Sequence, residues 1–203
     1  MFLKVLLFGV YYNYASYIYK PSIKIDNSGI INSIVHSYTT ILLSTMYLLN
    51  NKFIVDHYHD LMCLSCYYAT HDVYILFKHN LKNKNALLVH HSLIIIALVL
   101  LNIYYVEDVS KKTLLALNYL TEISTPFLNK STQLYNDKNT NSLSYNISIK
   151  LLVITFFIFR ILGGVYYISL AYYQPLFVLI CQMMLTSLNF VWFYKIINMV
   201  YYR

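Results

Sequence analysis

The sequence predicts an all-α fold, a multi-pass transmembrane helical bundle of about seven spans around a polar cavity or hydrogen-bonded core. Three observations carry this reading. The chain of 203 residues is 59% hydrophobic and only 11% charged, with a mean hydropathy of +0.53, whereas soluble domains carry about 25% charge. Apolar stretches long enough to cross a bilayer recur along its length, and the polar residues inside them fall at helical spacing. With 15 Lys and Arg and 8 Asp and Glu, the chain lacks the polar groups to cover a soluble surface, so a soluble domain is excluded.

The apolar stretches, each of roughly 17 to 25 residues, run over 2–19, 31–49, 53–77, 86–105, 112–129, 149–172 and 176–200. The first is rich in tyrosine and lacks a small-residue cleavage site, so it reads as a retained anchor instead of a signal peptide. This divides the chain into an anchor span and loop over 1–29 and a six-helix domain over 30–203. The connectors are short and polar (KHNLKNKN, EDVSKK, NKSTQLYNDKNTNS), and neither a second domain nor an internal repeat is visible.

The net charge of +7 does not point to nucleic acid, because the lysines sit in the gaps between apolar runs and form no basic helix or patch. They read as topology signals. With seven spans, one side collects Lys20, Lys24, Lys78, Lys82, Lys84, Lys130, Lys138, Lys150, Lys195 and Arg203, against Lys4, Lys52, Lys111 and Lys112 on the other. The positive-inside rule therefore places the carboxyl terminus in the cytoplasm and the amino terminus in the lumen. In this orientation the sequons at Asn129 and Asn146 face the cytoplasm and stay unglycosylated. Cys63, Cys66 and Cys181 fit neither a disulfide framework nor a zinc pattern and read as packing residues.

In hydrocarbon a polar side chain needs a partner or a wet cavity, so polar residues mark the inward face of each span. Steps of three and four residues connect Ser33, His36, Thr40 and Ser44 on the second span. The same spacing connects Asp56, Asp60, Cys63, Tyr67, His71 and Tyr74 on the third, Asn118, Glu122, Thr125 and Asn129 on the fifth, and Gln182, Thr186 and Asn189 on the last. His36, His90, His91 and Glu122 lie one to two turns inside the cytoplasmic face, Arg160 nearer the middle, and Asp60 toward the lumen. Adjacent helical residues point about 100° apart, so His90 and His91 serve two directions. A carboxylate such as Glu122 would fix the tautomer of either ring. The competing readings are structural: helix-to-helix hydrogen bonding for the histidines, and an ion pair for Glu122 opposite Arg160.

One order of motifs adds to this. NSIVHS, then Asp60-Leu61, then His90-His91, then LTEISTPFLN, then IFRILGG resembles the TLC-domain family over roughly residues 30–200. The chain resembles the small TLC-domain-containing proteins more than the ceramide synthases, since it lacks the Asp-rich stretch that ceramide synthases carry after the histidine pair. The resemblance implies a multi-pass protein, commonly of the endoplasmic reticulum, whose helices surround a lipid-accommodating cavity. In ceramide synthases the paired histidines carry acyl transfer from acyl-CoA to a sphingoid base.

The leading expectation is therefore a lipid-binding or lipid-homeostasis membrane protein. The alternative is an N-acyltransferase using acyl-CoA as co-substrate and a long-chain amine, with His90, His91 and Glu122 as the catalytic candidates. His36, Asp60, Asn118 and Arg160 are the cavity-lining candidates. No cofactor or metal is expected, and the expected partners are membrane lipids and, for the enzyme, acyl-CoA. A proton pathway along His36, His91 and Glu122 ranks last. Nothing in the sequence specifies an oligomeric state.

Overall fold

The computed structural model of the chain describes residues 28–56, 58–79, 84–104 and 109–201, and these are almost entirely helical, with no strand among them. They form α1 (Ser28–Leu48), a short α2 (Lys52–Asp56), α3 (Tyr58–His79), α4 (Lys84–Tyr104), α5 (Val109–Tyr119), α6 (Thr125–Asn136), α7 (Leu143–Thr155), α8 (Gly163–Ala171) and α9 (Leu176–Tyr201). A 3₁₀ turn over Leu120–Ser124 joins α5 to α6, and a π-helical segment over Phe156–Leu162 joins α7 to α8. The helices thus make six long rods, α1, α3, α4, α5–α6, α7–α8 and α9. Each of 21 residues or more reaches about 30 Å at 1.5 Å per residue, the thickness of a bilayer core. Residues 143–171 and 176–201 also have the apolar composition of a span.

The six rods coincide with the last six expected spans. The first expected span, 2–19, lies outside the described residues.

The rods close into a ring. In order, α4 packs on α3, α3 on α1, α1 on α5–α6, α5–α6 on α7–α8, α7–α8 on α9, and α9 back on α4.

Lipid tails are as apolar as Leu, so large apolar residues can face outward at little cost. Phe157, Ile158, Leu162, Val165, Met183, Met184, Phe190 and Val191 are accordingly exposed. Buried positions combine large residues, among them Tyr58, Tyr145, Leu152 and Phe156, with small and polar ones. Ser37, Thr40 and Ser44 of α1, Ser65 and Ala69 of α3, Ala116 of α5 and Ala171 of α8 all have 2% exposure or less.

Turn chemistry places the rod ends. Asn50 sits at φ 58 after α1 while the Asn51 amide donates to the Met46 carbonyl and the Asn50 amide to that of Tyr47, a left-handed cap in which Asn is tolerated. Lys138 closes α6 in the same way. Ser142 caps α7 by accepting from the Tyr145 amide at 3.2 Å, the ordinary use of a serine at this position.

Where α8 meets α9, the approach depends on glycine. The Thr186 hydroxyl donates to the Gly164 carbonyl at 3.4 Å and accepts from the Gln182 amide at 3.3 Å. A Cβ on Gly164 would lie 3.0 Å from both Cγ2 and Oγ1 of Thr186. Thr186 is buried and β-branched, so it has little room to yield.

Gly164→Ala is therefore expected to lower stability by about 1–3 kcal/mol through overpacking, read by thermal unfolding in detergent micelles. The loss should shrink markedly in a Thr186→Ala background. An equal loss in both backgrounds would show that this contact does not limit the approach of the two helices.

Candidate functional site

Two polar clusters lie inside the ring. The first begins with Pro126. Having no N–H, it cannot bond the Glu122 carbonyl four residues back, and the Thr125 amide takes that carbonyl instead in 3₁₀ fashion. The Thr121 carbonyl, which an uninterrupted α-helix would have paired with Thr125, is left to face the neighbouring rod.

Arg160 fills that opening. The π segment bonds the Gly163 amide to the Ile158 carbonyl across it, and such a widened turn re-aims the side chain it carries. Arg160 Nε donates to the Thr121 carbonyl at 3.1 Å and to Ser124 Oγ at 2.8 Å. Its Nη2 donates to Thr125 Oγ1 at 2.9 Å and faces Glu122 Oε1 at 3.5 Å. The Thr125 hydroxyl passes its own proton to Glu122 Oε2 at 2.6 Å. The guanidinium also lies 5.2 Å from the centre of the Phe156 ring, one turn earlier on its own rod. The charge is thus buried, but it is paired and bonded on several sides.

The second cluster gathers the histidines. His36 of α1 stacks on Tyr68 of α3, with ring centres 3.9 Å apart and planes 10° from parallel. Tyr68 meets the edge of His91 of α4 at 6.0 Å. Asp72, one helical turn beyond Tyr68 on α3, places Oδ2 2.9 Å from His91 Nε2. His90 turns the other way and packs edge-on against Trp192 of α9, at 5.0 Å. The adjacent pair thus serves two contacts of the ring, one on each side of α4. The two clusters lie on rods that both pack against α1, the first on α5–α6 and the second on α3.

Polar and aromatic contacts join all six pairs of neighbouring rods. Besides Asp72–His91, Tyr68–His36, Arg160 with 121–125, Thr186–Gly164 and Trp192–His90, the Asn129 amide donates to Ser33 Oγ at 3.0 Å and ties α6 to α1. Among the described residues, the buried Nδ1 nitrogens of His90 and His91 have no hydrogen-bond partner, as do buried oxygens of Ser44, Tyr58, Ser65, Tyr119 and Asn189.

Of the residues singled out from the sequence, His36, His90, His91, Glu122 and Arg160 come together here. Asn118 lies half-buried on α5, its amide bonded to the Leu114 carbonyl of its own helix at 3.0 Å. Asp60 belongs to α3, about 18 Å along the helix from Asp72, and its side chain lies outside the described residues. The carboxylate that meets the histidine pair is Asp72, which the sequence reading passed over in favour of the neighbouring Tyr67 and His71. Its signal was present: Ser65, Tyr68 and Asp72 also follow steps of three and four. Glu122, expected either to orient an imidazole or to pair with Arg160, is bound to Arg160 and Thr125. Asn129 is buried and bonded, so of the two sequons only the exposed Asn146 reports on topology.

A ring of membrane-length rods with titratable residues inside and apolar residues outside defines a polytopic helical membrane protein. Within that class the chain belongs to the TLC domain family, whose model matches residues 24–198. Membership makes it a lipid-related membrane protein. No curated protein and no solved structure matches the chain.

Arg160→Leu should lower stability by about 3–5 kcal/mol, since it leaves a carboxylate uncompensated in the interior. Arg160→Leu combined with Glu122→Leu should lose less than Arg160→Leu alone, as measured by unfolding in detergent. Additive losses would mean that the two groups are not coupled.

Proposed function

We propose that this protein binds a membrane lipid for lipid homeostasis in the endoplasmic reticulum, with a headgroup in the histidine cluster and acyl chain along the ring axis. The observation that carries the reading is the pair of buried, unpartnered imidazole nitrogens on adjacent residues of the histidine cluster. Buried polar atoms ordinarily have a partner, and an occupant from the membrane would supply it. His36, His90, His91 and Glu122 would line the headgroup end. Arg160 would hold the α5–α6 and α7–α8 rods together beside it. Residues 1–29 would add an anchor to the domain, with the amino terminus in the lumen and the carboxyl terminus in the cytoplasm.

Asp72 against His91 favours a second reading, acyl-CoA-dependent N-acylation of a long-chain amine. A carboxylate bound to one imidazole nitrogen raises the basicity of the other. In this reaction an imidazole nitrogen would attack the thioester carbonyl and release the CoA thiolate. The amine would then attack the acyl carbon and expel the imidazole, its proton passing to the neighbouring base.

Native mass spectrometry of the purified, delipidated chain after exposure to mixed liposomes, with and without acyl-CoA, separates the readings. A binder recovers lipid non-covalently, and His90→Ala or His91→Ala shifts its affinity. An acyltransferase gains acyl mass on a histidine, and a single His→Ala substitution abolishes the adduct. Failure to recover any lipid would overturn both.

Orientation is tested in sealed microsomes with an impermeant maleimide. Asn139→Cys, in the turn between α6 and α7, should label from the cytoplasmic side. Tyr173→Cys, at the other end of the α7–α8 rod, should label only after permeabilisation, above the background of the native cysteines. The reverse pattern would invert the topology.

A further inference from the structure

We propose that Asp72 is the positioning residue of the histidine pair. It holds His91 as the Nε2–H tautomer, so that Nδ1 of His91 is the atom that receives a hydrogen-bond donor, a hydroxyl or amine N–H, from the headgroup of the occupant. This deepens the lipid-binding reading and rests on it for the occupant, but not for the tautomer.

An ionised carboxylate only accepts hydrogen bonds. Asp72 Oδ2 lies 2.9 Å from His91 Nε2, so the proton on this ring belongs on Nε2. In the neutral ring Nδ1 then carries a bare lone pair, and that nitrogen is buried with no partner among the described residues. A proton on Nδ1 would instead bury an N–H with no acceptor, at a cost comparable to a lost hydrogen bond.

The surroundings restrict what can bond this nitrogen. Glu122 already accepts from Thr125 and faces Arg160. Tyr68 lies against the edge of the His91 ring, and His90 crosses it at 5.2 Å. An acceptor enclosed in this way selects against headgroups that only accept. An ether or ester oxygen would leave Nδ1 unsatisfied, whereas an O–H or N–H would complete it. His90 differs from its neighbour in having Trp192, not a carboxylate, against its ring, and its tautomer is not set by Asp72.

Nitrogen-15 NMR of histidine-labelled, delipidated protein in bilayers reads this directly, with the His91 signals assigned by their loss in His91→Gln. The expected result is a protonated Nε2 and an unprotonated Nδ1 on His91. A proton on Nδ1 in the unmodified protein overturns the proposal, whatever the variants do. Asp72→Leu should redistribute the proton between the two nitrogens of His91 and leave His90 unchanged. Asp72→Asn, whose side-chain oxygen still accepts from Nε2–H, should retain more of the original tautomer. A His91 tautomer unchanged in folded Asp72→Leu, with folding read by circular dichroism, refutes the positioning role.

The donor requirement is read by adding hexadecanol or hexadecyl methyl ether. The alcohol should shift the His91 Nδ1 resonance and the ether should not. Equal shifts from both, or none from either, overturn the donor requirement. Because the tautomer is measured without any lipid, it stands or falls separately from lipid binding itself.

Discussion

Hydrocarbon offers a polar group nothing to bond to, and the arrangement of this protein follows from that constraint. Every rod carries polar residues, and each must bring them to a neighbour. The solution is a closed ring in which every pair of adjacent rods is joined by at least one polar or aromatic contact, while many large apolar residues, Phe157, Met183 and Phe190 among them, face outward. In water a stripe of small and polar residues would be a weak interface. Between rods in lipid it is the stronger one, because apolar surface is satisfied equally well by acyl chains.

Arg160 shows how local backbone and side-chain chemistry serve one another. Pro126 denies its rod one regular hydrogen bond, and the 3₁₀ turn that results frees the Thr121 carbonyl. The π turn around Arg160 brings a guanidinium to that carbonyl, to two hydroxyls and to a carboxylate. Two irregularities on neighbouring rods thus compensate each other. The Ser124 hydroxyl also donates to the Thr121 carbonyl, whereas the arginine alone would leave a buried charge.

The histidine pair uses adjacency in a similar way. Rings about 100° apart on one helix cannot share a target, and here they join α4 to α3 on one side and to α9 on the other. The cluster is held by aromatic packing and one carboxylate, with nitrogen left over. Adjacent imidazoles in the interior each leave Nδ1 without a partner among the described residues. The membership in a lipid-related membrane family is in keeping with an occupant drawn from the membrane.

The sequence by itself determined the helical class, the positions of the six described rods and the polar residues of α1, α6 and α9 that face inward. These follow from composition and from the 3.6-residue period, which act within one segment. Helical phase also separated His90 from His91. It pointed to the Tyr67–His71 line of α3 instead of Tyr68–Asp72, because a rod with two neighbours has two inward faces. Only ring closure decided that Asp72 meets His91 while Glu122 meets Arg160. Charge pairing depends on which rods lie side by side and at what relative height, and periodicity along a single helix carries neither.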